Sequence, residues 1–290
     1  MPGFANVKEL VDAELNGFSR YSTWRKTSSQ ITASGIWFDL SMSPGNPVPQ
    51  YYAAAPAVSA PMAHSTDGGI FHGKAVSPKK KFLKTSMVMS AVATAMPTVF
   101  IMMDYLLYYP FIDESLVGDV QSMTNSSTLP RYTDGAGVQM MAVVVAGHSV
   151  GTGTFFTVNY TNSSGVAGRT SATVQLNTQL VNGTILTTAS AKERCYGPFI
   201  PLQSGDTGVR SVESVTVSGL GDVGLFSLVL VKPLAQLSLV RVDGPVEISY
   251  FEHFAQLPEI KDDAYLNFIC HPGGSLSAVP LHGGVTFVWG

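Results

Sequence analysis

The sequence predicts a mainly β protein: an antiparallel β-sandwich or jelly-roll-like fold, with a short N-terminal helix and an extended Pro-rich arm. Three observations predict it. Val, Thr, Ser, Phe and Tyr dominate the periodic stretches, and such side chains suit a pleated, half-buried surface. From Val138 onward, short alternating segments recur at intervals of about 8–15 residues between Gly-rich turns, a sandwich rhythm. The 28 glycines and 17 prolines supply frequent turns and leave room for only one clear amphipathic helix.

That helix is predicted over residues 5–17, where Val7, Leu10, Val11 and Leu15 recur at helical spacing and Gly17 stops the run. A strand follows at Gly35–Met42. Ser43–Pro49 holds three prolines in seven residues and cannot be regular structure. Residues 20–80 read as an extended arm with short strands, lying on a partner. Residues 82–110 give two long apolar strands separated at Met96-Pro97, and 111–137 a loop-rich connection. The later strands are Gln139–Ala146, Thr154–Thr161, Arg169–Asn177, Thr184–Ala189, Val209–Ser218, Leu225–Val231, Ser238–Val242, Val246–Phe251 and Gly284–Trp289. Asn162-Ser163-Ser164-Gly165 turns the second of these into the third. The chain divides into 1–80 (helix and arm), 81–137 (the apolar strand pair and its connection, part of the main β domain) and 138–290 (the sandwich).

Charge is the most informative part of the composition. Only 13% of the 290 residues are charged against 45% hydrophobic, where a soluble domain carries roughly a quarter charged residues. A free monomer needs a charged surface to stay dispersed. So weak a charge points to a subunit that hides its surface against copies of itself or neighbours. With net charge −3 and no basic stripe, the chain has no electrostatic footprint for nucleic acid; Lys79-Lys80-Lys81 with Lys84 is a solvated loop or a contact to an acidic neighbour. Pro97 and Asp104 interrupt the apolar run from Met87 to Tyr109, which argues against a membrane span. No signal peptide is expected from the acidic start, and Cys195 and Cys270 are expected as free thiols.

Chemistry-bearing motifs are weak. Gly147-His148-Ser149-Val150-Gly151 has the letters of a nucleophile elbow after an apolar strand, but Gly151–Val158 is a poor helix start and a good strand. A serine hydrolase using Ser149, with Asp206 or Asp222 and His253, His271 or His282, is the reading it would support; a hairpin turn is the simpler one. His271-Pro272-Gly273-Gly274 and Gly219-Leu220-Gly221-Asp222-Val223-Gly224 read as turns, since no helix follows the second. The six histidines, including His64 and His72, show no ligand spacing, so no metal and no cofactor is expected. Carboxylates around Asp134 could form a calcium loop only with further ligands. Asn125, Asn159, Asn162 and Asn182 stand in glycosylation sequons that read as chance matches in a Ser/Thr-rich chain. Trp24, Trp37, Trp289, Tyr105, Tyr108, Tyr109 and Phe111 would fill a core or an interface, or form a sugar platform.

Gly35–Pro47, Leu129–Gly135 and Tyr160–Arg169 carry a resemblance to virion structural proteins of tailed bacteriophages that runs nearly end to end. It implies synthesis in a bacterial cytoplasm and residence in the virion. The long spine helix of a major capsid protein is missing, so the resemblance implies an accessory subunit: a capsid cement or decoration protein, or else a tail, neck or baseplate subunit with possible host-glycan contact. The expected partners are the major capsid protein, other virion subunits and copies of the chain itself in a homotrimer or other cyclic homo-oligomer.

Overall fold

The computed structural model describes residues 3–147, 153–176, 181–186, 196–253 and 257–290. Its elements, in chain order, are α1 (Val7–Leu15), β1 (Ser19–Thr27), β2 (Phe38–Asp39), β3 (Gly45–Asn46), β4 (Ala60–Pro61), α2 (His64–Asp67), β5 (Lys81–Met89), β6 (Thr98–Asp113), β7 (Val120–Ser122) and β8 (Gln139–Ala146). There follow β9 (Thr154–Asn162), β10 (Arg169–Thr170), β11 (Val174–Gln175), β12 (Val209–Gly219), β13 (Leu225–Leu239), β14 (Val246–Ser249), α3 (Tyr250–His253), β15 (Glu259–Ile260), β16 (Tyr265–Pro272) and β17 (Pro280–Trp289). Strands take 45% of the chain and helices 8%, so the protein is mainly β.

The strands form three antiparallel sheets. The first runs β14-β5-β17-β1-β3, with β15 also on β5; the second runs β10-β9-β12-β7, with β11 also on β9. The third, central sheet runs β2-β16-β6-β13-β8, with β4 also on β6. Its strands β6 and β13, of 16 and 15 residues, are long enough to serve two sandwiches end to end. At one end Phe100, Met102, Leu237, Leu239, Leu266 and Phe268 pack with Trp24, Phe82, Leu83 and Phe287 of the first sheet. At the other end Leu106, Tyr109, Phe226, Leu228 and Met140 pack with Phe156, Val158, Val212 and Val215 of the second. A bulge at Leu106, where the β13 register steps from Leu107 to Tyr105, lies at the change-over.

The reverse face of the central sheet is covered too. Met103, Tyr105, Met141, Val143, Val229 and Ile269 lie under Trp37, Met42, Tyr52, Ala54 and Met62. The stretch expected to lie on a partner therefore lies on the chain's own sheet, because that sheet has a second apolar face to bury. The first part of the expected arm is a nine-residue strand, β1, paired along its whole length with β17. Its letters, Ser-Arg-Tyr-Ser-Thr-Trp-Arg-Lys-Thr, are polar, and only Ser22, Trp24 and Lys26 turn inward.

Several expectations hold element by element: α1, the β5/β6 pair split before Pro97, β8, β9, β12 and β17. Asn6 caps α1 by accepting the Glu9 N–H at 3.1 Å, and Gly17, at φ 75°, ends it. Others change. Only Phe38–Asp39 of the expected 35–42 strand is extended, before a 3₁₀ turn at Leu40–Met42. Gly45–Asn46, expected to be irregular, pairs with β1. Leu225–Val231 and Ser238–Val242 are joined in the single strand β13, which runs through Pro233. The proline is tolerated because β13 has lost its β8 neighbour after Val231 and is bulged beside it. The Arg169 strand is split into β10 and β11, Thr184 and Ile185 make isolated bridges, and Asn177 and 187–189 of these expected strands lie outside the described residues. Tyr250 opens a helical turn instead of prolonging β14. β16 carries no strong alternation, since both its faces are buried. The apolar run 98–109 is β6, and no helix among the described residues is long and apolar enough to cross a membrane.

Phe268 joins the two sheets of the first sandwich, its ring centroid 4.8 Å from Trp24 and 6.2 Å from Phe100. Phe268→Ala is expected to cost about 3–5 kcal/mol of unfolding free energy, measured by chemical denaturation.

Candidate functional site

The polar side chains that the fold buries are clamps, and they sit where the arm and the two sandwiches meet. Along one edge of β6, β16 pairs with residues 98–105, and β4 takes over at Leu107 and Tyr108. Asp104 and Arg131 occupy that hand-over. Arg131 donates from Nε to Asp104 Oδ2 at 2.8 Å and from Nη2 to Oδ1 at 2.7 Å, and both side chains are buried. The same Nη2 group reaches the carbonyls of Met62 at 3.0 Å and Tyr105 at 2.9 Å, while Asp104 Oδ1 accepts the Tyr265 N–H at 3.1 Å. Burial pushes the Asp104 carboxyl up to about 6 against the pull of the guanidinium.

A second clamp holds the arm. Asp39 accepts the hydroxyls of Tyr52, Tyr105 (2.7 Å) and Ser41 (2.8 Å) and the Ser41 N–H (2.9 Å). Its pKa is raised because burial outweighs these donors. Beside it Lys26 Nζ donates to the carbonyls of Ser43 at 2.9 Å and Pro47 at 2.8 Å, and burial lowers it to about 8. With the Ser41 carbonyl at 3.4 Å as a third acceptor, the Ser41–Pro47 stretch is thus tied to β1 by one ammonium. In a third cluster, Lys81 Nζ donates to His72 Nδ1 at 2.9 Å and to the Lys74 carbonyl at 3.0 Å, and His72 Nε2 faces the Ala264 carbonyl at 3.0 Å. Burial and then the Lys81 charge hold His72 down at about 3, so its ring is neutral. Beside it Arg20, Phe71, Lys74, Lys79 and Trp289 line a cavity of about 380 Å³.

Exposed apolar side chains form two groups, besides others such as Ile31, Val48 and Val240 elsewhere on the surface. On α1, Val7, Val11 and Leu15 face solvent one turn apart, Leu15 at 80% exposure, while Leu10 and Ala13 face the core. At the far end of the second sheet, Leu116, Val117, Val120, Leu220 and Val223 are exposed, Leu220 at 83%. Val117 and the Gly221 turn belong to one tip: a Cβ on Gly221 would stand 2.7 Å from the valine methyl.

Sequence-named residues fall as follows. His148, Ser149 and Cys195 lie outside the described residues. Asp206 is engaged by Tyr160 Oη at 2.6 Å, Asn162 Nδ2 at 2.7 Å and Arg169 Nε at 2.9 Å, and these hold it at about 2. The ring of His271 packs on Trp37, its centroid 5.0 Å away. His271 and Pro272 end β16, against the reading of the whole motif as a turn, and the chain bends only at Gly273–Gly274, where Gly273 N–H bonds the Ala95 and Pro97 carbonyls. Gly219–Gly224 links β12 of the second sheet to β13 of the central sheet; the two strands are not paired, so the stretch is a crossing between sheets and not the hairpin loop that its glycines suggest. Asp134 accepts the Ala136 N–H at 3.0 Å, and no cluster of three metal-ligating side chains occurs among the described residues. Asn125 is occupied by Tyr109 Oη and the Val212 carbonyl. Trp24, Tyr105, Tyr108 and Tyr109 are buried, which removes them from any sugar platform, and Cys270 is a buried free thiol. Sequence reasoning missed the clamps: Lys26, Asp39, Tyr52, Asp104 and Arg131 have no motif, and the only signal was the lone charge of Asp39 and of Asp104 inside an apolar run, while Lys26 and Arg131 stand in polar stretches.

No protein-family profile and no curated protein matches the sequence. Among solved structures, the chain is similar to the VP2 subviral particle of infectious bursal disease virus at 8% identity and a TM-score of 0.23, covering 93% of this chain and 80% of that one. The same virus's Gx strain gives 11% identity and a TM-score of 0.20 over the same shares. Backbones that superpose so poorly carry no argument about function.

Two outcomes test the clamps. Arg131→Met strands a buried carboxylate and is expected to cost about 3–5 kcal/mol, of which Asp104→Leu in the same chain restores a large part, read by chemical denaturation. Asp206 is held below its ordinary value, so its contribution is present above about pH 4 and is lost as pH falls toward about 2. The stability gap between the wild type and Asp206→Asn is therefore flat above pH 4 and closes below it in a pH series of unfolding curves.

Proposed function

We propose that this chain is a structural, non-enzymatic subunit of a virus particle, and that in a tailed-phage virion it cements or decorates the head. One observation carries the reading: a chain with 13% charged residues keeps large apolar side chains outside, in the α1 stripe and the Leu220 tip. Exposed apolar patches on so weakly charged a surface are what an assembly buries. The resemblance of Gly35–Pro47, Leu129–Gly135 and Tyr160–Arg169 to phage virion proteins supplies the setting. The partners are the major capsid protein, other virion subunits and further copies in a trimer or other cyclic ring.

Of the N-terminal helix and arm that the sequence offers for docking, the arm is taken up by the chain's own fold: β1 and the cover of the central sheet are part of the core, so deleting residues 1–55 would remove core as well as any docking element. The exposed α1 stripe keeps its docking role, joined by the Leu220 tip. A chain carrying both Leu15→Glu and Leu220→Glu is expected to fold with an unchanged melting curve and to be lost from purified particles. Full incorporation would overturn the reading. A tail, neck or baseplate position leaves the same surfaces buried in a ring. The enzyme reading is separated by fluorophosphonate labelling: no labelling is expected, and labelling that vanishes in Ser149→Ala would contradict the non-enzymatic assignment.

A further inference from the structure

The edge of the first sheet offers a contact of defined chemistry. β1 is paired with β17 without a register break from Ser19 to Thr27, but on its other side only Arg25 to Thr27 have partners, in β3 and Pro44. Thr27 N–H bonds the Pro44 carbonyl on that side, and Phe18 C=O bonds Trp289 N–H on the β17 side. Strand alternation therefore points the N–H and C=O groups of Ser19, Tyr21 and Thr23 outward, and among the described residues none of these groups has a hydrogen-bond partner.

The other long edges are covered or guarded: the half of β13 beyond Val231 has no β8 partner but carries Pro233 and a bulge. The outer side of β8 bonds Thr184, Leu186 and Ile200; β16 bonds β2 and Ile70; β12 bonds β7, Gly118 and Met123. β14 is four residues long and runs straight into α3. The open stretch of β1 has none of the usual guards of an edge, neither proline nor bulge nor inward charge. Its one charged residue, Arg20, is drawn aside over the Phe71 ring, 4.9 Å from the centroid. Tyr21 is 59% exposed and lies flat over Gly284, where a Cβ would collide with its hydroxyl.

We propose that the Ser19–Thr23 edge pairs antiparallel with the same stretch of a second copy, across a two-fold axis at Tyr21, fusing two first sheets into one. The open window is five residues long and centred on Tyr21, so it is complementary to itself: Ser19 faces the second copy's Thr23, and Tyr21 faces Tyr21. The three outward residues supply about six N–H···O=C bonds, and the two tyrosines form a cross-strand aromatic pair. The window is bounded by β3 at one end and at the other by Gly17, where the chain turns off into α1. The second copy's β3 thus meets a strand that has already left the edge. Isologous pairing of this kind closes a dimer without open-ended growth. The inference stands apart from the particle reading, since a dimer made by a protein absent from particles would keep the one and sink the other.

The test is sedimentation equilibrium of the purified full chain beside Tyr21→Pro. Proline at 21 removes an N–H that points away from β17, so the β1–β17 ladder survives, as edge strands permit. The wild type is expected to dimerise and Tyr21→Pro to associate at least about tenfold more weakly, with an unchanged circular dichroism spectrum. A wild-type monomer, or an oligomer unaffected in folded Tyr21→Pro, overturns the proposal. Should Tyr21→Pro fail to fold, amide exchange of the wild type decides: protection of Tyr21 and Thr23 that rises with protein concentration supports the pairing, and concentration-independent exchange refutes it.

Discussion

The buried pair of Asp104 and Arg131 sets the terms for the rest of the structure. A sheet that serves two sandwiches must change partners along its length, and backbone groups at the change-over would otherwise be buried without bonds. Arg131 answers this with one guanidinium, which meets Asp104 and the carbonyls of Met62 and Tyr105. Asp104 in turn takes the Tyr265 N–H where β16 stops pairing. Such a pair adds little net stability over an apolar filling. It fixes which segments may meet there: the end of β16, the start of the β4 pairing, and the loop that carries Arg131.

From that point the use of the apolar composition follows. The central sheet is buried on both faces, by two other sheets on one side and the chain's own arm on the other, so its strands read as near-continuous apolar runs. That is why the stretch ending in β6 has the look of a membrane span and is a strand. The Asp39 and Lys26 clamps then hold the arm down by hydrogen bonds where its small residues offer little apolar area. What remains outside is short of charge, and part of its exposed apolar area is grouped on α1 and at the Leu220 tip.

The class of the fold and most of its regular strands were legible in the sequence, because alternation, Gly-rich turns and β-branched composition report local structure. β8, β9 and β12 lie where the periodicity puts them, and the Asn162–Gly165 turn is held by Gly165 N–H on the Asn162 carbonyl. What escaped was non-local. β1 is polar in letters and gains its place from β17, more than 250 positions away. The fate of the arm depends on a face of the sheet that no local pattern reveals. The clamps are single charges whose partners come from distant turns, so spacing rules have nothing to detect. Asp104 served as evidence against a membrane span; its partner could not be named from the sequence.

The central claim is that this chain is built to be one part of a particle. Its most direct test is quantitative mass spectrometry of purified virions, counting this chain against the major capsid protein. The account predicts a ratio of about one or about one third, the stoichiometry of a subunit repeated over the shell. A handful of copies set by a ring would move it to the tail, and absence from purified virions would contradict the account.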